Sequence, residues 1–378
     1  MTSWKDLAFD TDAIIDGLKP WIECESPTWD AAAVNRMMDI VAVDCANLGA
    51  YIERIPGSMG FGGSVRARFP HPDMDKPGIM VSGHFDTVHP IGTLAQNPFR
   101  REDGKVYGPG IQDMKGGNFI TLTAMKALLD AGIQTKLPVT FLFTPDEEVG
   151  TPSTRTLIET EGKRAKYVLC PEPALPDNGV CTGRYAIARF RITATGKPSH
   201  AGARLKDGVS AVRELAKRII EIEEMTSDSC TFSCNNISSG QWVNCVPSFA
   251  AADCLSMSKT QADLDAGVEK MLALSGERNG VTLKVERTFT RPIWEDGQPE
   301  TMALYEKAKA ISAEVGLDMP HASQGGGADT NFTGALRIAS LCDLGLWGNG
   351  LHTLTEHIEA DMIVPRTRIM AGLLATLD

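Results

Sequence analysis

The sequence predicts an α/β fold with a mostly parallel sheet, interrupted by a smaller insertion of α+β type. Three observations carry this reading. Short apolar runs alternate with helix-spaced segments in the first half of the chain. Each run is followed at once by a stretch rich in carboxylates or histidine. Beyond Gly183 the pattern changes to apolar/polar alternation, the signature of a sheet with one solvated face.

Taken in order, Pro77 to Gly83 is a buried-strand run that opens into His84-Phe85-Asp86. Gly108-Pro109-Gly110 is a sharp turn before Asp113, and after Gly116-Gly117 the residues Phe119, Leu122, Met125 and Leu129 recur at helical spacing. Pro138 to Phe143 is the next strand and leads into Asp146-Glu147-Glu148, and Tyr167 to Cys170 leads into Pro171-Glu172-Pro173. Ligands of open α/β sheets bind at the carboxyl ends of strands, so these stretches stand where a site belongs. In the insertion, Ile187 to Thr195 alternates. A helix is expected from about Asp207 to Glu224, with Val209, Val212, Leu215, Ile219 and Ile222 on one stripe that packs on its own sheet or forms a dimer contact. Val281, Leu283 and Val285 alternate again. A helical stretch after Pro299, a Gly325-Gly326-Gly327 loop and a last strand-helix pair return to the first domain, so the expected division is 1–185 with 296–378, and 186–295.

Composition narrows the function classes. A chain of 378 residues with 43% hydrophobic content buries a sizeable core. Its net charge of -11, with Lys and Arg scattered, argues against nucleic acid as a partner. No run approaches the roughly 18 apolar residues of a membrane span, and Met1 to Asp6 does not read as a leader, so a cytoplasmic location is expected. The nine Cys form no CxxC pair and read as reduced thiols.

The chemistry lies in five stretches that end with Gly350-Leu351-His352 and together supply two His and several carboxylates, the donor set of a hydrolytic two-metal site. Each piece alone is ordinary. His-x-Asp reads as a satisfied polar pair, an acidic triplet as a solvated loop, and a Glu between prolines as a strand end. On a strand, His84 and Asp86 face one side, which places Asp86 to orient the imidazole. Of the adjacent Glu147 and Glu148, one suits a ligand and the other a base.

These residues, with Lys115-Gly116-Gly117, Gly196 to Gly202 and Gly325 to Asp329, resemble the M20 metallopeptidases, in particular the glutamate carboxypeptidase branch, over nearly the whole chain. The resemblance implies a zinc-peptidase catalytic domain carrying an inserted lid or dimerisation domain at 186–295, acting as a homodimer on a small amide or peptide substrate. It implies two Zn2+, with Co2+ or Mn2+ as alternatives. Asp113 would bridge the ions, His84 and Glu172 would complete one site, and Glu148 and His352 the other. Glu147 would be the general base, and Asp86 would orient the shell around His84. His200 would reach a partner's site to stabilise the oxyanion. Asn244, Arg291, Gly326 and Gly327 would contact substrate, and the Asp113-Met114 peptide would be cis.

One position departs from that pattern. Ten residues beyond Pro247, where similar carboxypeptidases carry an Arg that grips the substrate carboxylate, this chain has Met257, and a thioether makes no bidentate pair. Lys259 and Arg184 are nearby cations that also read as ordinary surface or hinge charges. The expected activity is therefore dinuclear-zinc amide hydrolysis of carboxypeptidase type, with an N-acyl amino acid deacylase or an aromatic amide or amine hydrolase as the alternative. A non-catalytic metal-binding protein is the remote one. No GxGxxG joins an early strand to a helix, which weighs against a nucleotide-binding enzyme.

Overall fold

The computed structural model describes residues 3–378; Met1 and Thr2, part of the start read above for a leader, lie outside them. The chain divides into two units, one of residues up to 183, 296–323 and 328–378, the other of 184–295 and 324–327.

In the first unit, six strands run in the order Tyr51–Ile55, Ser64–Arg68, Val139–Thr144, Gly78–His84, Ala165–Leu169 and Ala339–Leu341. The last four are mutually parallel, and the first two join antiparallel. Every residue of Gly78–His84 is buried, because both faces of this central strand are covered. Ile79, Val81, Phe141, Phe143 and Leu169 pack into the large core under the helices Thr11–Glu23, Gly116–Asp130 and Ile363–Thr376. Met80, Leu142 and Val168, one residue out of phase, pack on the opposite face with Ile158 and Phe332. This two-sided burial explains why the runs read as continuous apolar stretches rather than alternations. In register, His84 lies beside Thr144 and Val81 beside Leu169, so the parallel strands end close together along one edge.

A second, four-stranded sheet of Gly348–Asn349, His357–Glu359, Lys105–Tyr107 and Arg100–Glu102 positions the rest of the site. His357 pairs with Tyr107, and Gly108 N donates to Glu356 O at 3.3 Å. The loop 350–356 is thereby set against the turn that precedes Asp113.

The second unit is a five-stranded antiparallel sheet in the order Cys230–Ser239, Phe249–Ser258, Ala186–Thr195, Val281–Arg291 and Gly276–Arg278. Ala188, Phe190, Ile192 and Leu283 form its core with Leu215, Ile222, Leu264 and Met271 from the helices Ala211–Glu223 and Gln261–Leu272. The first helix starts later than the expected Asp207. Val209 is held in extended backbone by exchanging hydrogen bonds with Lys197 at 2.8 and 2.9 Å. Ser210 then caps the helix by accepting from Arg213 N at 3.2 Å. Val212, placed on the buried stripe by spacing, is instead 40% exposed. All nine cysteines are free thiols, and no helix among the described residues is long and apolar enough to cross a membrane.

Candidate metal centre

The carboxyl ends of the parallel strands gather the donor residues. His84 closes Gly78–His84, Glu147 and Glu148 lie on a single turn after Val139–Thr144, and Glu172 follows Ala165–Leu169. Asp113 comes from the irregular helical turn Ile111–Lys115, and its peptide bond to Met114 is cis. Gly110, which opens that turn, has φ +71, and a Cβ there would lie 2.6 Å from Thr87 Cγ2. Only glycine fits without displacing the neighbouring chain.

Asp113 presents one oxygen to each histidine. Its Oδ1 lies 3.1 Å from His84 Nε2, which is also 3.6 Å from Glu172 Oε1. Its Oδ2 lies 3.2 Å from His352 Nε2, which is 3.4 Å from Glu148 Oε2. The donor atoms of His84, Asp113 and Glu172, and those of Asp113, Glu148 and His352, each lie within 4.8 Å of one another. Two imidazole nitrogens and three carboxylates, one of them the shared Asp113, are donors that zinc and similar divalent ions take. Glu148 Oε1 is buried with no hydrogen-bond partner, a lone pair that a cation would satisfy.

Burial, hydrogen bonding and the crowding of charge together perturb every donor. Burial pushes Glu148 up to about 8, with the Asp113 charge adding to the effect and the His352 hydrogen bond opposing it. Burial likewise raises Glu172 to about 8; the His84 charge works against this and the Asp113 charge with it. Burial of Asp113 is more than offset by hydrogen bonds from His352 and His84, which hold its carboxyl well below the usual range. Hydrogen bonds to Asp113 and Glu148 raise His352 to about 10. Burial alone would lower His84, but Glu172, Asp113 and Asp86 together raise it well above its ordinary value. Glu147 is buried, and its charge contributes to the rise of both Glu148 and Glu172.

Asp86 works differently from its expected same-face geometry. The strand ends at His84, and His84 Nδ1 lies nearer the backbone carbonyl of Asp86, at 3.0 Å, than its carboxylate, at 3.4 Å. The carboxylate also accepts from Glu147 N and Glu148 N, both at 3.2 Å, and from Thr28 Oγ1 at 2.8 Å. Asp86 therefore steadies the imidazole through its carbonyl and the Glu147-Glu148 turn through its carboxylate.

Several supporting roles escaped the sequence reading. Glu356 is fully buried and accepts from Gly110 N at 2.9 Å, Gln112 N at 2.8 Å and Asp113 N at 3.1 Å. His89 Nε2 lies 2.6 Å from the same carboxylate. A lone acid in a loop gives no such signal. Asp146 accepts from Ser153 N at 2.6 Å and from the Ser153 and Thr154 hydroxyls. Asp329 takes the hydroxyls of Thr144 and Thr151 at 3.1 and 2.5 Å. Both acids brace the turn that carries Glu147 and Glu148.

The remaining candidates lie in the second unit, in two groups. Ala201 N donates to Asn244 O at 2.8 Å, which places His200 beside Asn244. His200 Nδ1 accepts from Gly202 N at 3.2 Å and Ala203 N at 3.1 Å, so the proton of the neutral ring sits on Nε2. In the other group, Met257 pairs with Ile187 and Ile187 with Arg291 across three strands. Gly327 lies against this row, where a Cβ would come within 2.4 Å of Arg291 Nη1, and Gly326 O accepts from Arg184 Nη1 at 2.8 Å.

Comparison with known proteins gives a consistent set of likenesses. The family described as peptidase family M20/M25/M40 matches residues 80–376. The chain is 30% identical to carboxypeptidase G2 of a Pseudomonas strain, over 97% of this chain and 89% of that one. It is 27% identical to succinyl-diaminopimelate desuccinylase of Cupriavidus taiwanensis, over 79% and 82% of the two chains. The crystal structure of aminopeptidase PepT from Bacillus cereus shares the fold, with a TM-score of 0.78 at 20% identity over 97% of this chain and 98% of that one.

Proposed function

The chain belongs to peptidase family M20/M25/M40 and so to the metal-dependent hydrolases of amide bonds, and from that premise we propose a dinuclear enzyme with Glu147 as its general base. The observation that carries the proposal is the shared Asp113, whose two oxygens each face a separate pair of one His and one Glu. His84 and Glu172 would hold one divalent ion, and His352 and Glu148 the other, with zinc best matched to the donors and Co2+ or Mn2+ acceptable. Bound there, the ions would supply Lewis acidity, activating water near neutral pH and polarising the amide carbonyl. Glu147, held by the N–H that Asp86 anchors, takes the proton of the attacking water and returns it to the leaving nitrogen.

In the second unit, the Nε2–H of His200 is a donor suited to a developing oxyanion, and Asn244 stands beside it as a substrate contact. Arg291, Gly326 and Gly327 form the other substrate-facing group. The edge strand Cys230–Ser239 and the exposed Val212, Ile220 and Ile237 support a lid that also dimerises. Nine free thiols suit a reducing compartment such as the cytoplasm.

The donor protonation gives a direct test. In the free protein at pH 7, Glu148 and Glu172, raised to about 8, and His352, raised to about 10, hold protons that ligation must expel. Zinc uptake should therefore release protons, and affinity should rise with pH until these groups have titrated. Calorimetry in two buffers of different ionisation enthalpy reads the release directly; uptake with none would contradict the ligand assignment.

The substrate is proposed to be a small N-acyl amino acid or dipeptide-like amide, without the carboxylate grip that an Arg at Met257 would give. A panel pairing N-acyl amino acids with their carboxamides should show kcat/KM values within about tenfold, less than loss of a charged bidentate pair would cost. Strict dependence on a free α-carboxylate would overturn this relaxation.

A further inference from the structure

Beside the metal centre, the first unit holds a cavity of about 410 Å³ that the proposed chemistry does not use. One wall is the segment of Pro27 and Trp29, the other that of Val88 and Ile91, and Glu148 and Val149 close it on the side of the second ligand triad. The two walls are pinned together. Thr28 N donates to Thr87 O at 3.1 Å, Thr87 N to Ser26 O at 2.9 Å, and Ser26 Oγ to Phe85 O at 2.6 Å. The Glu25 carboxylate accepts from Gly92 N at 2.8 Å and Leu94 N at 2.9 Å. The space is thus preformed, and its size falls in the ~300–1,000 Å³ range of small-molecule sites.

Its lining is unusual for a surface. Trp29 is 77% exposed, Ile91 54% and Val88 41%, and the indole is steadied on one side by Phe61, with ring centroids 5.3 Å apart. Single exposed apolar residues need no explanation, but three around one concavity mark a binding surface. The same segments fix its distance from the chemistry, since Thr28 bonds the Asp86 carboxylate and Glu148 belongs to both sites. Asp30, whose carboxylate caps the next helix by accepting from Ala33 N at 2.9 Å, adds a second acid to the rim with Glu148. No Lys or Arg lines the space, and the Asp30 carboxylate disfavours an anionic occupant.

The geometry points to a substrate pocket for an uncharged aromatic group, carried by the same amide whose bond is cut at the metal centre, with Trp29 as its stacking wall. This rests on the amide-hydrolase reading. An aromatic ring on Trp29 gains both apolar burial and an offset or edge-on ring contact.

The test uses full-length, metal-loaded protein and three probes: N-acetylalanine, N-benzoylalanine and N-acetylphenylalanine. At least one aromatic member should exceed N-acetylalanine in kcat/KM by about tenfold or more. Trp29→Ala should reduce that ratio by about tenfold, chiefly through KM, and Trp29→Phe should restore most of it. Ile91→Asp, on the opposite wall, should move the ratio in the same direction and covers the case in which Trp29→Ala does not fold. A ratio unmoved by either folded variant overturns the pocket. Calorimetric binding of the same probes to Glu147→Gln separates the two readings. If no probe is hydrolysed by wild type, yet aromatic binding is preferred and is lost with Trp29→Ala, the pocket stands and the hydrolytic reading falls.

Discussion

Glu147→Gln should lower amide hydrolysis by about 10²–10⁴-fold, the usual weight of a positioned general base, while the protein keeps its full metal content. The amide preserves shape and the backbone bond to Asp86, and removes only the capacity to accept and return a proton. Because Glu147 lies outside both donor triads, zinc per chain measured by elemental analysis should be unchanged. Substrate binding should also persist, so the loss should fall on kcat. Hydrolysis retained near the wild-type rate would remove Glu147 from the role of base.

Asp113→Ala should act on the metal itself. It vacates the only oxygens common to both triads, so each His-Glu pair loses its third donor at once. Metal content should fall from two equivalents to weak, exchangeable binding, and activity by more than the ~10–100-fold typical of lost outer-sphere support. The two variants are therefore distinguishable in one experiment: Asp113→Ala is poor in metal and inactive, Glu147→Gln rich in metal and inactive. A variant lacking Asp113 that still held two tightly bound ions would show that the carboxylate does not bridge.

Much of the fold was readable because its signals are local. The runs around Val81, Phe141 and Val168 are apolar on both faces, as strands covered on two sides must be. Likewise Phe190 and Ile192 alternate with arginines because only one face of the second sheet is buried by helices. The start of the helix Ala211–Glu223 was not readable, since it depends on Val209 being drawn into a backbone pairing with Lys197. At the candidate centre, strand-end position marks His84, Glu148 and Glu172, whereas Asp113 and His352 stand in turns and enter the set only through the family resemblance. The division of Asp113 between two histidines was anticipated only through the family resemblance, since nothing local in the sequence pairs it with His84 and His352. Asp86 illustrates the limit: its spacing from His84 suggests their proximity, but gives no sign that its carboxylate also engages Thr28 and the Glu147-Glu148 backbone. Glu356 was invisible because its partners, three main-chain N–H groups and His89, all lie more than 240 residues earlier. Trp29 was equally silent, its setting being created by hydrogen bonds to the segment after Asp86.

That distance in sequence has a consequence for biosynthesis. During translation, His84, Asp113, Glu148 and Glu172 leave the ribosome long before His352 and Glu356, with the whole of the second unit emerging in between. Until Glu356 arrives, the N–H groups of Gly110, Gln112 and Asp113 lack their shared acceptor. The nascent chain therefore carries four of the five candidate ligands and lacks His352. Metal capture in its final form would wait for the segment that carries His352 and Glu356, so the candidate centre cannot assemble before that segment has been made.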